Sequence, residues 1–167
     1  MRLSRSLWIA AAVAIADQLT KVWVVATRPF GTETEVVPGL FRLVHARNRG
    51  IAFGLFGASG GIVQLVLLIV VAGIVAFVAW QLSQSGSDGL AGWGLAMVLG
   101  GAIGNIIDRI FRGEVVDFLD FYLRIGGREH HWFAFNLADS AISVGACLVI
   151  LGELISQTRS KRAPGTD

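Results

Sequence analysis

Cysteine is nearly absent from this chain. Cys147 is the single one, so no intramolecular disulfide framework is available. It falls inside an apolar run and is expected as a small packing residue. Charge is scarce too. Asp, Glu, Lys and Arg make up 16% of 167 residues, the hydrophobic share is 54%, and the net charge is +2. No basic run is dense enough to engage nucleic acid. There is no HExxH and no cysteine cluster, so no metal centre is expected, and Glu129-His130-His131 reads as a solvated loop. Internal repeats and low-complexity tracts are missing as well.

What the chain has instead is long apolar sequence. Four stretches, Leu7–Ala26, Gly61–Leu82, Leu90–Phe111 and Asn136–Ile155, each approach the roughly 20 residues that a helix needs to cross a bilayer. The length suits one domain, residues 1–167. The expectation is an all-α polytopic membrane protein, a four-helix transmembrane bundle with extramembrane loops at 27–60 and 112–135. An even number of spans puts both termini on one side. Arg2, Arg5, Arg159, Lys161 and Arg162 flank the termini, while the two long loops hold seven Lys or Arg. Density favours cytoplasmic termini, though the count itself is ambiguous. The N-terminus also has a signal-peptide look, but Val22–Ala26 prolongs its apolar run, so an uncleaved first span is expected.

The loops carry weaker patterns. Val36-Val37-Pro38-Gly39 reads as a turn, Phe41–His45 and Val115–Ile125 as strands, and Gly126-Gly127 as a second turn. Together they suggest a small sheet capping the bundle, with Trp132, Phe133 and Phe135 as an aromatic anchor. Ile51–Phe56 suits an interfacial segment, and Phe53–Gly57 is the candidate lid. Gly100 and Gly104 stand at GxxxG spacing, which suits close helix packing.

Polar groups in such a setting are informative, because a carboxylate near hydrocarbon is costly and usually functional. Asp117 follows the third apolar run, and Asp139 lies one turn into the fourth. Topology puts them at the same membrane edge, where paired carboxylates can activate water. Asp139 near a helix N-terminus suits the base, and Asp117 among apolar neighbours suits the acid. Asp17 and Lys21 are four apart and suit an ion pair, with Lys21 alternatively snorkelling. Asn105, Asp108 and Arg109 share a face as a polar network, with Asp108 and Arg109 as a helix-end pair. Asp120 is expected to face solvent, and Glu153 to snorkel. A small proton-coupled transporter is the rival reading. The edge position of the aspartates and the lack of inverted repeats weigh against it, and a scaffold without chemistry is a third possibility.

Five blocks resemble the lipoprotein signal peptidases (signal peptidase II). They are Asp17-Gln18-Leu19-Thr20-Lys21, Asn48-Arg49-Gly50-Ile51-Ala52-Phe53, the run from Gly100 to Arg109, Val115-Val116-Asp117-Phe118, and Phe135-Asn136-Leu137-Ala138-Asp139-Ser140. They occur in the family's order over nearly the whole chain outside the tails. Ile51 departs from the smaller residue often found there. The resemblance implies an aspartyl endopeptidase of the bacterial inner membrane. Its substrate would be a prolipoprotein already carrying diacylglycerol, cut just before the lipidated cysteine. It implies Asp117 and Asp139 as the catalytic dyad, without metal or organic cofactor. Asp17, Lys21, Asn48, Gly50, Asn105, Asp108, Arg109, Asn136 and Ala138 match supporting or substrate-binding positions. It further implies a periplasmic β-cradle, cytoplasmic termini, contact with membrane lipid and no nucleic-acid partner. A monomer is expected.

Overall fold

The computed structural model describes residues 2–48, 61–85 and 89–162. Gly50 and the candidate lid Phe53–Gly57 lie outside them. The elements run α1 (Arg2–Thr27), β1 (Glu33–Val37), β2 (Phe41–Asn48), α2 (Gly61–Ser85), α3 (Leu90–Phe111), β3 (Val115–Ile125), β4 (Arg128–His131) and α4 (Leu137–Arg162). Among the described residues, three helices hold apolar stretches long enough to cross a membrane: Arg5–Thr27, Leu90–Phe111 and Leu137–Thr158. The apolar stretch of α2 is shorter, Leu68–Leu82. The chain is therefore not purely all-α, because its loops pair into a four-stranded antiparallel sheet of order β1-β2-β3-β4.

Helix α3 is the centre of the bundle, and its glycines make that possible. Gly100 and Gly104 face α1: a Cβ at Gly104 would stand 2.5 Å from Asp17 Oδ2. Gly101 faces α4, where a Cβ would stand 2.5 Å from the Ala138 carbonyl oxygen. With side chains reduced to hydrogen, backbones approach closely enough for dispersion contacts to replace the missing hydrophobic drive between helices in lipid. Val78 and Leu82 of α2 pack with Ala10 and Leu99. Outward faces carry Trp8, Ile15, Leu19, Phe77 and Ile150, all exposed, the reverse of a soluble surface and suited to lipid. Cys147 lies among these exposed residues and not in the helix packing, because α4 turns Gly145 toward α3 and Cys147 away.

The sheet sits across the end of the bundle where α1 and α3 finish. Val116 and Phe118 bury against Val24 of α1. Antiparallel register places Phe41 opposite Phe121 and Leu43 opposite Leu119, so Phe41, Leu119, Phe121, Leu123 and Ile125 share one face. The other face is charged. Arg42 binds Asp120 at 2.6 Å and Glu33 at 2.7 Å, and its guanidinium lies 4.8 Å from the Tyr122 ring centroid. Asp120 is thus only 5% exposed, against the expectation of a solvent-facing acid. The cross-strand guanidinium compensates for the burial. Gly126 and Gly127, with φ 60° and 77°, make the turn between β3 and β4, which needs positive φ at both positions. Glu129 and His131 lie in β4 and reach the Arg42 cluster, so this stretch is a strand and not a loop.

Close packing sets a prediction. Gly101→Ala drives a methyl into the backbone of α4 and is expected to destabilise the bundle by about 1–3 kcal/mol. Gly73→Ala on α2, where a Cβ meets nothing within 4 Å, is expected to leave stability unchanged or raised. Thermal unfolding of both variants in detergent checks the contrast.

Candidate active site

Beneath the sheet lies a network of fully buried charges. The Lys21 ammonium sits 2.8 Å from Asp17 Oδ2 and 3.0 Å from Asp108 Oδ2, and all three side chains are 0% exposed. It also donates to Asn105 Oδ1 at 2.9 Å. Lys21 therefore pairs inward and does not snorkel. Asp17 Oδ1 accepts the Ala138 N–H at 3.0 Å, tying α1 to the start of α4. That backbone contact, together with the close approach of Gly101, accounts for a small residue at Ala138.

Asp108 does not pair with Arg109. It binds Lys21 and Arg112, one turn on, and its Oδ2 accepts the Val116 N–H at 3.1 Å. This last bond ties the end of α3 to the start of β3, one residue before Asp117. Arg109 turns instead toward a groove that it lines with Asp117 and Asp139, where its positive charge acts on both. Gln18 closes the network. It donates to Asp108 and the Gly104 carbonyl at 3.0 Å each and accepts from Arg112.

Asp139 belongs to the cap of α4. Asn136 Oδ1 accepts the Asp139 N–H at 3.0 Å, and Asp139 Oδ2 accepts the Asn136 N–H at 3.2 Å. This reciprocal pair is a capping box, satisfying two amide groups that a helix start leaves unpaired. The other oxygen of Asp139 accepts from Asn105 Nδ2 at 2.8 Å. Asn136 Nδ2 in turn donates to Asp117 Oδ1 at 2.8 Å.

Both asparagine orientations follow from their partners. An ammonium only donates, so Lys21 holds the oxygen of Asn105 and leaves its NH₂ for Asp139. The Asp139 N–H likewise holds the oxygen of Asn136 and leaves its NH₂ for Asp117. Asn48 adds a side-chain hydrogen bond to Asp117. Burial, and then the Asp139 charge, push the Asp117 carboxyl up to about 7, against the hydrogen bonds from Asn136 and Asn48.

The groove holding these groups has a volume of about 820 Å³. Asn48, Asn105 and Arg109 line it with Asp117 and Asp139, while Trp132, Phe133, Ile142 and Val144 supply apolar walls. Trp132 and Phe133 are exposed as an interfacial anchor requires, whereas Phe135 is half-buried and stacks on Phe121. Among the described residues, no group of three or more His, Cys, Asp or Glu is placed to hold a metal ion.

Sequence reasoning missed Gln18 and Arg112 in the buried network and Arg47, Ser140 and Ser143 in the groove lining. Arg112 stands four residues after Asp108, the spacing of a helical ion pair, and Gln18 adjoins Asp17. Both signals were present in the sequence.

Apolar helices built to cross a membrane, with two carboxylates held over a groove at their ends, define a multi-pass membrane protein equipped for acid–base chemistry. The family model for signal peptidase (SPase) II matches residues 9–155. A lipoprotein signal peptidase of Solibacter usitatus is 43% identical over 146 residues, covering 86% of each chain. One from Ralstonia nicotianae is 43% identical over 140 residues, covering 84% of this chain and 78% of that one. A bacterial membrane enzyme solved by the in meso method at 2.3 Å resolution superposes with a TM-score of 0.81 at 29% identity, covering 98% of this chain and 95% of that one. The chain belongs to the signal peptidase II family, the aspartic peptidases that process lipoproteins in bacterial membranes. This membership displaces the transporter and scaffold readings.

Lys21→Met would leave Asp17 and Asp108 buried around a missing cation. Breaking a buried pair on one side costs about 3–5 kcal/mol. A lowered thermal midpoint in detergent is expected, and a midpoint equal to wild type would show that the network does not hold the bundle.

Proposed function

We propose that Asp117 and Asp139 are the catalytic pair of this peptidase. We further propose that it cuts prolipoproteins carrying diacylglycerol, just before the lipidated cysteine. One observation carries this reading: the carboxylates of Asp117 on β3 and Asp139 on α4 both accept hydrogen bonds from Asn136 and line one groove that also has apolar walls. The apolar walls fit acyl chains and the signal peptide, and the carboxylate pair fits a peptide bond. At 25 residues and about 1.5 Å per residue, α2 is long enough to make a fourth crossing. Four crossings put both termini on one side and the sheet with the carboxylate pair on the other. The density of Lys and Arg beside the termini supports the cytoplasm for the first and the periplasm for the second. A monomer with lipid contact all round suits the apolar exterior.

Asp139 receives two N–H donors at a helix N-terminus, an arrangement that suits a carboxylate. It acts as the base, taking a proton from water as the oxygen attacks the scissile carbonyl. Protonated Asp117 donates to the carbonyl oxygen as charge develops there. On collapse, Asp117 recovers its proton from the tetrahedral hydroxyl, and Asp139 passes its own to the leaving nitrogen. The pair ends as it began, and the cycle calls for no metal or cofactor. Asn105 and Asn136 hold both carboxylates in place before substrate arrives.

Asp117→Asn and Asp139→Asn are each expected to lower cleavage of a diacylglyceryl-modified prolipoprotein by about 10²–10⁴-fold, read by gel shift in lipid. Near-normal cutting by either variant would refute the dyad assignment.

Two pH effects accompany the raised carboxyl of Asp117. Activity should fall as pH climbs through about 7, because the acid loses its proton. The stability effect has the same origin. The folded value lies above the ordinary 3.8, so the native state binds more protons than the unfolded one and loses stability as pH rises between the two values. Asp117→Asn should therefore melt higher than wild type near pH 8, with the gain vanishing near pH 4. A constant difference at all pH would rule out the buried-acid account.

A further inference from the structure

A second cavity, of about 420 Å³, shares a wall with the catalytic groove: Ala46, Arg47, Trp132, Phe133 and Ala134 line both. The rest of its lining comes from residues 30–33 after α1 and from Val44, His45, Asp120 and His131. All of these lie on the sheet or its connections, and none on a helix. The catalytic groove, by contrast, draws Asn105 and Arg109 from α3 and Ile142 and Val144 from α4.

A signal peptide in the bilayer and a mature chain outside it leave the scissile bond in opposite directions. The helix-walled groove fits the apolar side of that bond, and the sheet-walled cavity fits the other. Building on the dyad and substrate reading above, we infer that the second cavity is the subsite for the first residues of the mature chain. In it, the residue following the lipidated cysteine is selected against acidic side chains.

The chemistry of the walls sets that preference. Arg47 is engaged by Glu114 at 2.7 Å, while Glu33 and Asp120 share the single guanidinium of Arg42. Among the described residues, carboxylate is in excess at these walls, Glu33 and Asp120 against Arg42, and its field disfavours a further negative charge. His45 Nδ1 donates to the Arg28 carbonyl at 2.8 Å, which leaves Nε2 as an acceptor. Among the described residues, His45 Nε2 and Asp120 Oδ1 are buried without a hydrogen-bond partner, on side chains of residues 3% and 5% exposed. Both only accept, so these walls suit backbone amides and side chains bearing N–H or O–H.

The test uses full-length enzyme in lipid with diacylglyceryl-modified prolipoprotein peptides that differ only at the residue after the modified cysteine: Lys, Ser or Asp. The Lys peptide should exceed the Asp peptide in kcat/KM by roughly threefold, the scale of one partly exposed charge. Glu33→Lys, on an edge strand with its side chain 55% exposed, should narrow or reverse that ratio. A benzoylphenylalanine at the same substrate position should cross-link, in Asp139→Asn enzyme, to residues 30–33 or 131–134. Equal kcat/KM for all three peptides, a ratio unmoved by Glu33→Lys, or cross-links confined to other segments would overturn the subsite while leaving the dyad standing. Failure of wild type to cut any of the three would bring down the dyad and substrate reading, and the subsite with it.

Discussion

The buried ammonium of Lys21 is the interaction on which the rest of the site depends. In a low-dielectric interior an isolated charge is costly, so its partners must be close and complete. Lys21 has three: Asp17 on its own helix, and Asp108 and Asn105 on α3. Each partner carries a second obligation. Asp17 holds the Ala138 N–H of α4, Asp108 holds the Val116 N–H of β3, and Asn105 holds Asp139. One cation therefore fixes three helices and the sheet relative to one another, and its partner Asn105 bonds Asp139 directly.

Helix α4 orients the proposed dyad through an ordinary structural need. Its first turn needs acceptors for unpaired amides, and Asn136 and Asp139 satisfy them reciprocally. The same bonds lock the Asn136 side chain so that its NH₂ faces Asp117. Rigidity at the cap and orientation at the carboxylate pair are one arrangement. The price is placed on Asp117, a carboxyl buried between Val116 and Phe118 and held near a second acid.

The sheet divides the labour by face. Strand alternation puts Phe41, Phe121, Leu123 and Ile125 on one side and Arg42, Asp120, Tyr122 and Glu129 on the other. The charged side is cross-linked across all four strands by Arg42 and its partners. Backbone hydrogen bonds from Trp132 to Phe121 and between Phe135 and Leu119 keep the segment from Trp132 to Phe135 against β3, where it walls the groove.

The sequence by itself determined the membrane class, the helical stretches, the turns at Gly39 and Gly126-Gly127, and the two aspartates, because each of these is a local matter of apolar run length, backbone freedom or desolvation cost. It left Asp120 and Cys147 wrongly placed, since which way a side chain faces depends on strand register and helix rotation. Gln18 bridges Asp108 and the Gly104 carbonyl only once α1 and α3 touch, whereas Arg112 was legible from its spacing one turn after Asp108. The pairing of Asp108 with Lys21 was settled by the packing of α1 on α3. The capping bond of Asp139 and the Arg112 bond of Asp108 are local. Only the tertiary structure decided that Asp117 meets Asn136 and Asp17 meets the Ala138 N–H, because hydrogen bonds between residues 19 and 121 positions apart are made by packing and leave no mark in local sequence.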